Sequence, residues 1–417
     1  MVREFGVAAA LMALAVVTVS ADAGRKLDAR WSGSVRVRAE SFSDYDFNST
    51  RADRNSFVVE RLRLKGDLPL DNETRFQLVL QDAKLFGEEF PVLGGERNVD
   101  FHEAFVEKKA LLGNRGLSLK VGRQELAYGD ERLVGVFGWN NVGRTYDAVR
   151  LRLERKKAWH ELFVSRIIHD ASAPADQSLW GLYNGFDLGG KRVLEAYLFR
   201  RLDPRATVRL DEYTYGVRSK GPLAGDFDYS VEAALQAGER AGLDIDAWAW
   251  HSGLGYSLKD RRKTRLSVEV NAASGDDDPT AGDIKTFDNL FPTNHFLYGM
   301  GDFFSWRNMS EFKLALSTDV NRKLRATLDW HLFALQDVRD FWYRAARTPL
   351  PASLRDPTGL ASDDAGSEWD LLLKYQWRKD VGLEAGYARF TPGDNQQGRG
   401  RPSDDANWAY LQTTYTF

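Results

Sequence analysis

The chain has 417 residues, with 57 Lys+Arg against 60 Asp+Glu, a formal net charge of −3 and no Cys. That balance gives no electrostatic case for nucleic acid as a partner, and the absence of Cys excludes disulfides and thiolate metal sites. Mean hydropathy is negative and no later run approaches a membrane helix, but a β-barrel hides its lipid-facing residues in a polar average by alternation.

The chain opens on a targeting pattern. Arg3 supplies positive charge, residues 7–19 form an apolar stretch broken only by Thr18, and Ala21-Asp22-Ala23 offers a small-residue cleavage site before Gly24. The run is short for a bilayer span, so residues 1–23 are expected to be a cleaved signal peptide and residues 24–417 a single β-barrel domain beyond the inner membrane.

From there a period of two dominates. Trp31, Gly33, Val35, Val37 and Ala39 alternate with Ser32, Ser34, Arg36, Arg38 and Glu40. Leu62, Leu64 and Leu68 then oppose Arg61, Arg63, Lys65 and Asp67. The scheme recurs with Phe227 to Gln236, with Arg265 to Ala272 and with Leu324 to Leu332, and is least clean over 158–201. The last strand puts Ala409, Leu411, Thr413, Tyr415 and Phe417 on one face. A water-soluble sandwich also alternates, but here the polar faces carry dense Arg, Glu, Asp and Gln, as a watery lumen would.

Connection lengths alternate too. Turns near 69–72, 156–157, 187–190, 220–224, 259–262, 319–322 and 379–380 are short. Those near 43–55, 86–98, 127–142, 276–307, 339–366 and 392–405 are mostly long. Short periplasmic turns and longer extracellular loops are the asymmetry of outer-membrane barrels. The fold class predicted is therefore all-β, a transmembrane antiparallel barrel of roughly 18 strands, wide enough for an aqueous channel and with both ends in the periplasm.

On this parity Arg36, Arg38, Arg61, Arg63, Lys65, Arg150, Arg152 and Arg265 face the lumen, joined by Glu40, Asp67, Glu154, Glu232 and Glu269. Any water-filled barrel lines itself with charge. Clustering of arginines in the first six strands points further, to a cationic constriction, because guanidinium rings select anions through charge and fork-shaped hydrogen bonds.

The most distinctive segment is VGRQELAYGDERLVGVFGWNNVGRTYDAV, residues 121–149, in which a glycine-bearing loop could fold inward and carry Arg132 toward the channel. Here the chain resembles the alginate-export family of outer-membrane porins, supported by RLRLKGDLPL at 61–70, QDAKLFG at 81–87, DFHEAFVE at 100–107 and SGDDDPTAGDIKTFDNLFPTNHFLYGMGDFF at 274–304. The resemblance implies an 18-stranded monomeric barrel with an arginine-rich constriction passing an anionic polysaccharide such as alginate outward. Motif matching would carry that role to Arg123 and Arg144, then Arg132, with Arg36 or Arg38, Arg61 or Arg63, and Arg389 as looser matches. Family membership alone does not fix alginate as the solute.

Asp276, Asp277, Asp278 and Asp283 supply oxygen donors of the kind calcium takes, although an acidic solvated loop accounts for them better. The six histidines show no metal-ligand spacing and are read as lumen or loop residues. Trp248, Trp250 and Tyr256 share an outward face. No cofactor is implied, and no Ser, His and Asp spacing singles out an outer-membrane hydrolase. The expectation is a passive channel for anionic solutes, with uptake or general passage of small organic molecules as the alternative. Expected partners are an anionic polysaccharide or small anionic solute, outer-membrane lipid and lipopolysaccharide, and the barrel-assembly machinery through the C-terminal strand.

Overall fold

The structure, a computed structural model, describes residues 28–51, 53–86, 99–168, 177–205, 208–345 and 355–417. The signal-peptide reading and the connection at 87–98 lie outside the described residues. The strands are β1 (Arg30–Ser43), β2 (Asn55–Pro69), β3 (Thr74–Phe86), β4 (Val99–Lys108), β5 (Leu117–Gln124) and β6 (Thr145–Glu154). They continue as β7 (Ala158–Ile168), β8 (Ser178–Gly189), β9 (Arg192–Asp203), β10 (Leu210–Pro222), β11 (Phe227–Arg240) and β12 (Leu243–Ser257). The last are β13 (Arg265–Ala273), β14 (Met309–Asp319), β15 (Leu324–Ala334), β16 (Asp364–Arg378), β17 (Val381–Pro392) and β18 (Ala406–Thr416).

Each strand pairs antiparallel with its sequence neighbours, and β1 also pairs with β18 from Ser34↔Thr416 to Ser43↔Asn407, closing one 18-stranded sheet. The seam ends on the terminal residue: Gly33 N donates to Phe417 O at 2.8 Å and Phe417 N to Gly33 O at 3.0 Å. Closure gives every strand two partners and leaves no unpaired edge, which hydrocarbon demands.

The predicted parity decides which face is which. Val37, Leu62, Leu235, Trp248, Trp250, Tyr256, Leu266, Leu328, Leu411 and Phe417 are exposed on the outer wall, while Arg36, Arg38, Glu232, His251 and His331 are buried inside. On insertion each outer Leu exchanges water for acyl chain, worth about 1.5–3 kcal/mol. Sequence pattern thus fixes the orientation of the wall. Glycines on the inner wall make room for rings lying flat against it. A Cβ at Gly181 would sit 2.2 Å from the Phe163 ring, one at Gly185 2.2 Å from Trp159, and one at Gly386 2.1 Å from Tyr410.

The turns at one rim are short, as at 155–157, 190–191 and 379–380, and those at the other are long, as at 125–144, 274–308 and 335–363. The plainest exception is at the long-loop rim, where β11 and β12 meet through Ala241 and Gly242 alone, at φ 54° and 86°. This is the left-handed pair that a two-residue hairpin needs.

The lumen is not the open channel that the alternation alone would give. The long loops turn inward and build an apolar core there. Leu126, Tyr128 and Leu133 from one loop, and Phe287, Phe291, Phe303 and Trp306 from another, pack with inward Phe163, Tyr183, Phe199, Phe333 and Phe390 of the wall.

Candidate functional site

Four arginines meet the inserted loop on one side of the barrel. β1 alternates Arg36 and Arg38 inward, β2 alternates Arg61 and Arg63 inward, and Arg36 stands directly opposite Arg61 in the ladder. Like charges so placed disfavour the pairing. Neither Arg36 nor Arg61 has an ion pair among the described residues; both instead donate to loop carbonyls. Arg36 reaches Gly138 O at 3.0 Å and Asn140 O at 3.1 Å, and Arg61 reaches the same two oxygens at 3.3 Å. The Nε atoms of both are buried and lack acceptors.

Arg38 lies 3.6 Å above the Trp139 ring, donates to Trp139 O at 2.8 Å, and pairs with Glu40 at 2.7 Å. His295 stacks on Trp139 at 4.0 Å between centroids, joining loop 274–308 to loop 125–144. Arg63 donates to Gln81 at 2.7 Å and Val142 O at 3.3 Å, and Glu125 lies 3.5 Å away. Burial pushes the Glu125 carboxyl up, but the His102 hydrogen bond and the charges of His102, Arg63 and Arg61 outweigh it and leave its pKa below the usual value.

Loop 125–144 runs deep. Its Asp130 accepts from Arg218 Nε at 3.0 Å and from Lys220 Nζ at 2.9 Å, near the short-turn end of β10. Burial opposes that charge, yet the Arg218 hydrogen bond and the two cations hold the Asp130 pKa at about 2. Arg132 is 4% exposed and sits 3.9 Å from Glu232 and 3.8 Å from Glu269 on the wall, donating to Tyr298 Oη at 3.1 Å. Burial disfavours its charge, and the Tyr298 hydroxyl together with the Glu269 and Glu232 carboxyl groups reverses that, so its pKa stays above the ordinary arginine value.

Arg144 locks the two loops together. Its Nη1 donates to Gly135 O at 3.2 Å, Phe291 O at 2.5 Å and Pro292 O at 3.0 Å. Beside it Val134 and Phe291 form a parallel bridge, and the Glu131 carboxylate accepts from Val136 N at 3.0 Å and Thr293 Oγ1 at 2.6 Å.

Six of the arginines named from the sequence therefore gather on the inserted loop: Arg36, Arg38, Arg61, Arg63, Arg132 and Arg144. Two do not. Arg123 follows Leu119 and Val121 on the outward face of β5 and is held by Asp147 through hydrogen bonds of 2.9 and 3.3 Å. Arg389 shares the outward face of β17 with exposed Tyr387, pairs with Asp405, and its side chain is 54% exposed. Both lie outside the lumen because their parity is that of lipid-facing neighbours. His160 is likewise outward, bound to Asn184 at 2.7 Å, where the sequence reading put it in the lumen or a loop.

The acidic loop holds no grouping of ligands for a metal ion among the described residues. Asp276 accepts from Asp278 N and Lys285 N, Asp278 from Thr280, Asp277 pairs with Lys285, and Asp283 is exposed. Their oxygens shape the loop. Sequence reasoning missed Trp139, Glu131 and Arg201, the last bound to Glu212 at 3.0 Å and to Asp288 of loop 274–308 at 2.9 Å. The available signal was the apolar content of the loops, LVGVF at 133–137 and FDNLF at 287–291, too greasy for free solvent.

The alginate-export family model matches residues 29–409. The chain belongs to the alginate-export family. None of the curated proteins matches the sequence. Among solved structures it is similar to Pseudomonas aeruginosa OccK11 (OpdR), with a TM-score of 0.63 and 14% identity over 94% of this chain and 96% of that one. Acinetobacter baumannii OccAB1 gives 0.64 and 13% over 94% and 96%, and the Pseudomonas aeruginosa outer membrane protein OprD gives 0.60 and 12% over 93% and 94%. At such identities the likeness carries the fold. This member of the alginate-export family is a Gram-negative outer-membrane channel.

Proposed function

We propose that the channel passes anionic solutes, and that within its family role the solute is an acidic polysaccharide such as alginate, moving outward by diffusion past Arg36, Arg38, Arg61 and Arg63. One observation carries this reading: Arg36 and Arg61 face each other with no carboxylate on either, held only by neutral carbonyls. A carboxylate beside them would offset their mutual repulsion, which the neutral carbonyls do not, so uronate groups fit. Arg132 and Arg144 serve as braces, the first to the acidic wall and the second to the neighbouring loop. The barrel is expected to act as a monomer in contact with lipid and lipopolysaccharide, delivered by the assembly machinery through β18.

A second reading, passage of small organic molecules, is favoured by the inward-packed loops, which narrow the lumen more than a polymer path suggests. Planar-bilayer recordings separate the two. Anion over cation selectivity and block by oligouronate are expected, and both should fall several-fold when Arg36 and Arg61 are changed together to Gln. Cation selectivity in the unaltered protein, or indifference to uronate, would remove the anionic reading.

A further inference from the structure

A second inward pair of like charges stands far from the first. On the register of β5 and β6, Lys120 lies directly opposite Arg150, both inward and partly exposed. Lys120 has no ion pair among the described residues. Its neighbour across β4, Glu107, is engaged by Arg75 Nε at 2.6 Å, and Glu161 is shared by Arg150 at 3.6 Å and Arg152 at 3.3 Å. The Lys120 ammonium rests 4.4 Å over the Phe105 ring, which also has Arg75 at 5.5 Å. Following the ladder from Lys120 through Glu107 and Arg75 reaches Pro69, which at about 3.3 Å per residue stands roughly 25 Å along β2 from Arg61.

Lys120 also faces Glu107 in the β4 register, but Arg75 holds that carboxylate and Arg150 shares Glu161 with Arg152, so no carboxylate is given over to this pair alone. Nor does a ring beneath an ammonium neutralise its charge. What the arrangement does offer is a cationic fork at the short-turn mouth, open to the lumen and on the same wall as Arg36 and Arg61. We propose that Lys120 and Arg150 form a second anion station, which captures a carboxylate of the solute at the periplasmic mouth before it reaches the arginines above. The proposal rests on the anionic reading of the channel and deepens it by giving the passage a loading site on one side.

The test is side-resolved block of single channels by oligouronate, with Lys120→Gln, Lys120→Arg and Arg36→Gln/Arg61→Gln compared. Loss of one charge-assisted contact is worth about tenfold in affinity. Lys120→Gln should weaken block from the short-turn side by about that factor and leave block from the loop side within about twofold. Lys120→Arg should restore it, which also shows that the barrel has folded. Equal weakening from both sides, or none, with the double arginine variant still losing its selectivity, overturns the station and leaves the anionic reading standing. Absence of uronate block in the unaltered channel overturns both.

Discussion

A guanidinium inside this barrel is defined by what it touches, and the same residue type does three different jobs. Arg36 and Arg61 keep unsatisfied donors, Arg123 is closed off by Asp147 on the outer wall, and Arg144 spends its donors on three carbonyls of two loops. Replacing Arg144 by Ala takes the donor from Gly135 O and Pro292 O, at about 1–3 kcal/mol for each that water does not reach, and leaves Phe291 O with Gly135 N alone. The barrel ladder is untouched, so the loss should appear locally. Hydrogen exchange at Gly135 N, which donates to Phe291 O, is expected to rise at least about tenfold while exchange in β14 and β15 stays unchanged. Asp130 gives a pH counterpart. Its folded pKa of about 2 lies below the ordinary aspartate value of about 3.9, so its contribution to anchoring the loop is complete above that value and disappears as pH falls through about 2. Channel noise or loop proteolysis should therefore increase between about pH 4 and pH 2, and Asp130→Asn should show the increase already at neutral pH. A flat profile in both proteins would deny Asp130 that role.

At the scale of single elements, strands are held in register by which face can accept bulk. Gly185 on β8 sits under the Trp159 ring, and any side chain there meets the indole. Gly185→Val is expected to cost about 1–3 kcal/mol by overpacking, read as a lower temperature for loss of heat-modifiable migration in gels, while Gly382→Val, with nothing near its Cβ, should change it little. Equal effects at both positions would mean that ring packing is not what the glycine serves. The strands themselves were legible because alternation is a local property: β1, β2, β11, β13 and β15 follow from their own residues. Even the outward Arg123 could be read from Leu119 and Val121, and Arg389 from Leu383 and Tyr387 at the same parity; a motif match drew both into the lumen against that parity. Loop burial was not legible in the same way. Tyr298, Trp306 and Phe287 become core only because distant strands curl around them, and no local period records that closure. Glycines matched to rings across a ladder, such as Gly181 with Phe163, are likewise visible only once register is known.

For the whole molecule, strands about 4.8 Å apart and tilted by about 40° place the walls of an 18-stranded barrel roughly 36 Å apart, far more than any single solute chain needs. Width therefore cannot set selectivity; the inserted loops and the charges that meet them must. Barrel and loops are separable in principle, because closure of β1 on β18 uses only strand hydrogen bonds. Replacing residues 129–142 with a short glycine linker removes the carbonyls of Gly138 and Asn140 and the Asp130 anchor while leaving every strand complete. Conductance should then rise several-fold. Selectivity is the sharper readout. If the guanidinium groups of β1 and β2 do the selecting, freeing them from loop acceptors keeps or strengthens anion preference even as the passage widens, because their charge is permanent and their donors become available. If the loop itself supplies the filter, preference should vanish as conductance grows. Reversal potentials in a salt gradient, measured on the linker variant with and without Arg36→Gln and Arg61→Gln, distinguish the two. Loss of preference on loop removal alone would shift the selecting role from the wall to the loop.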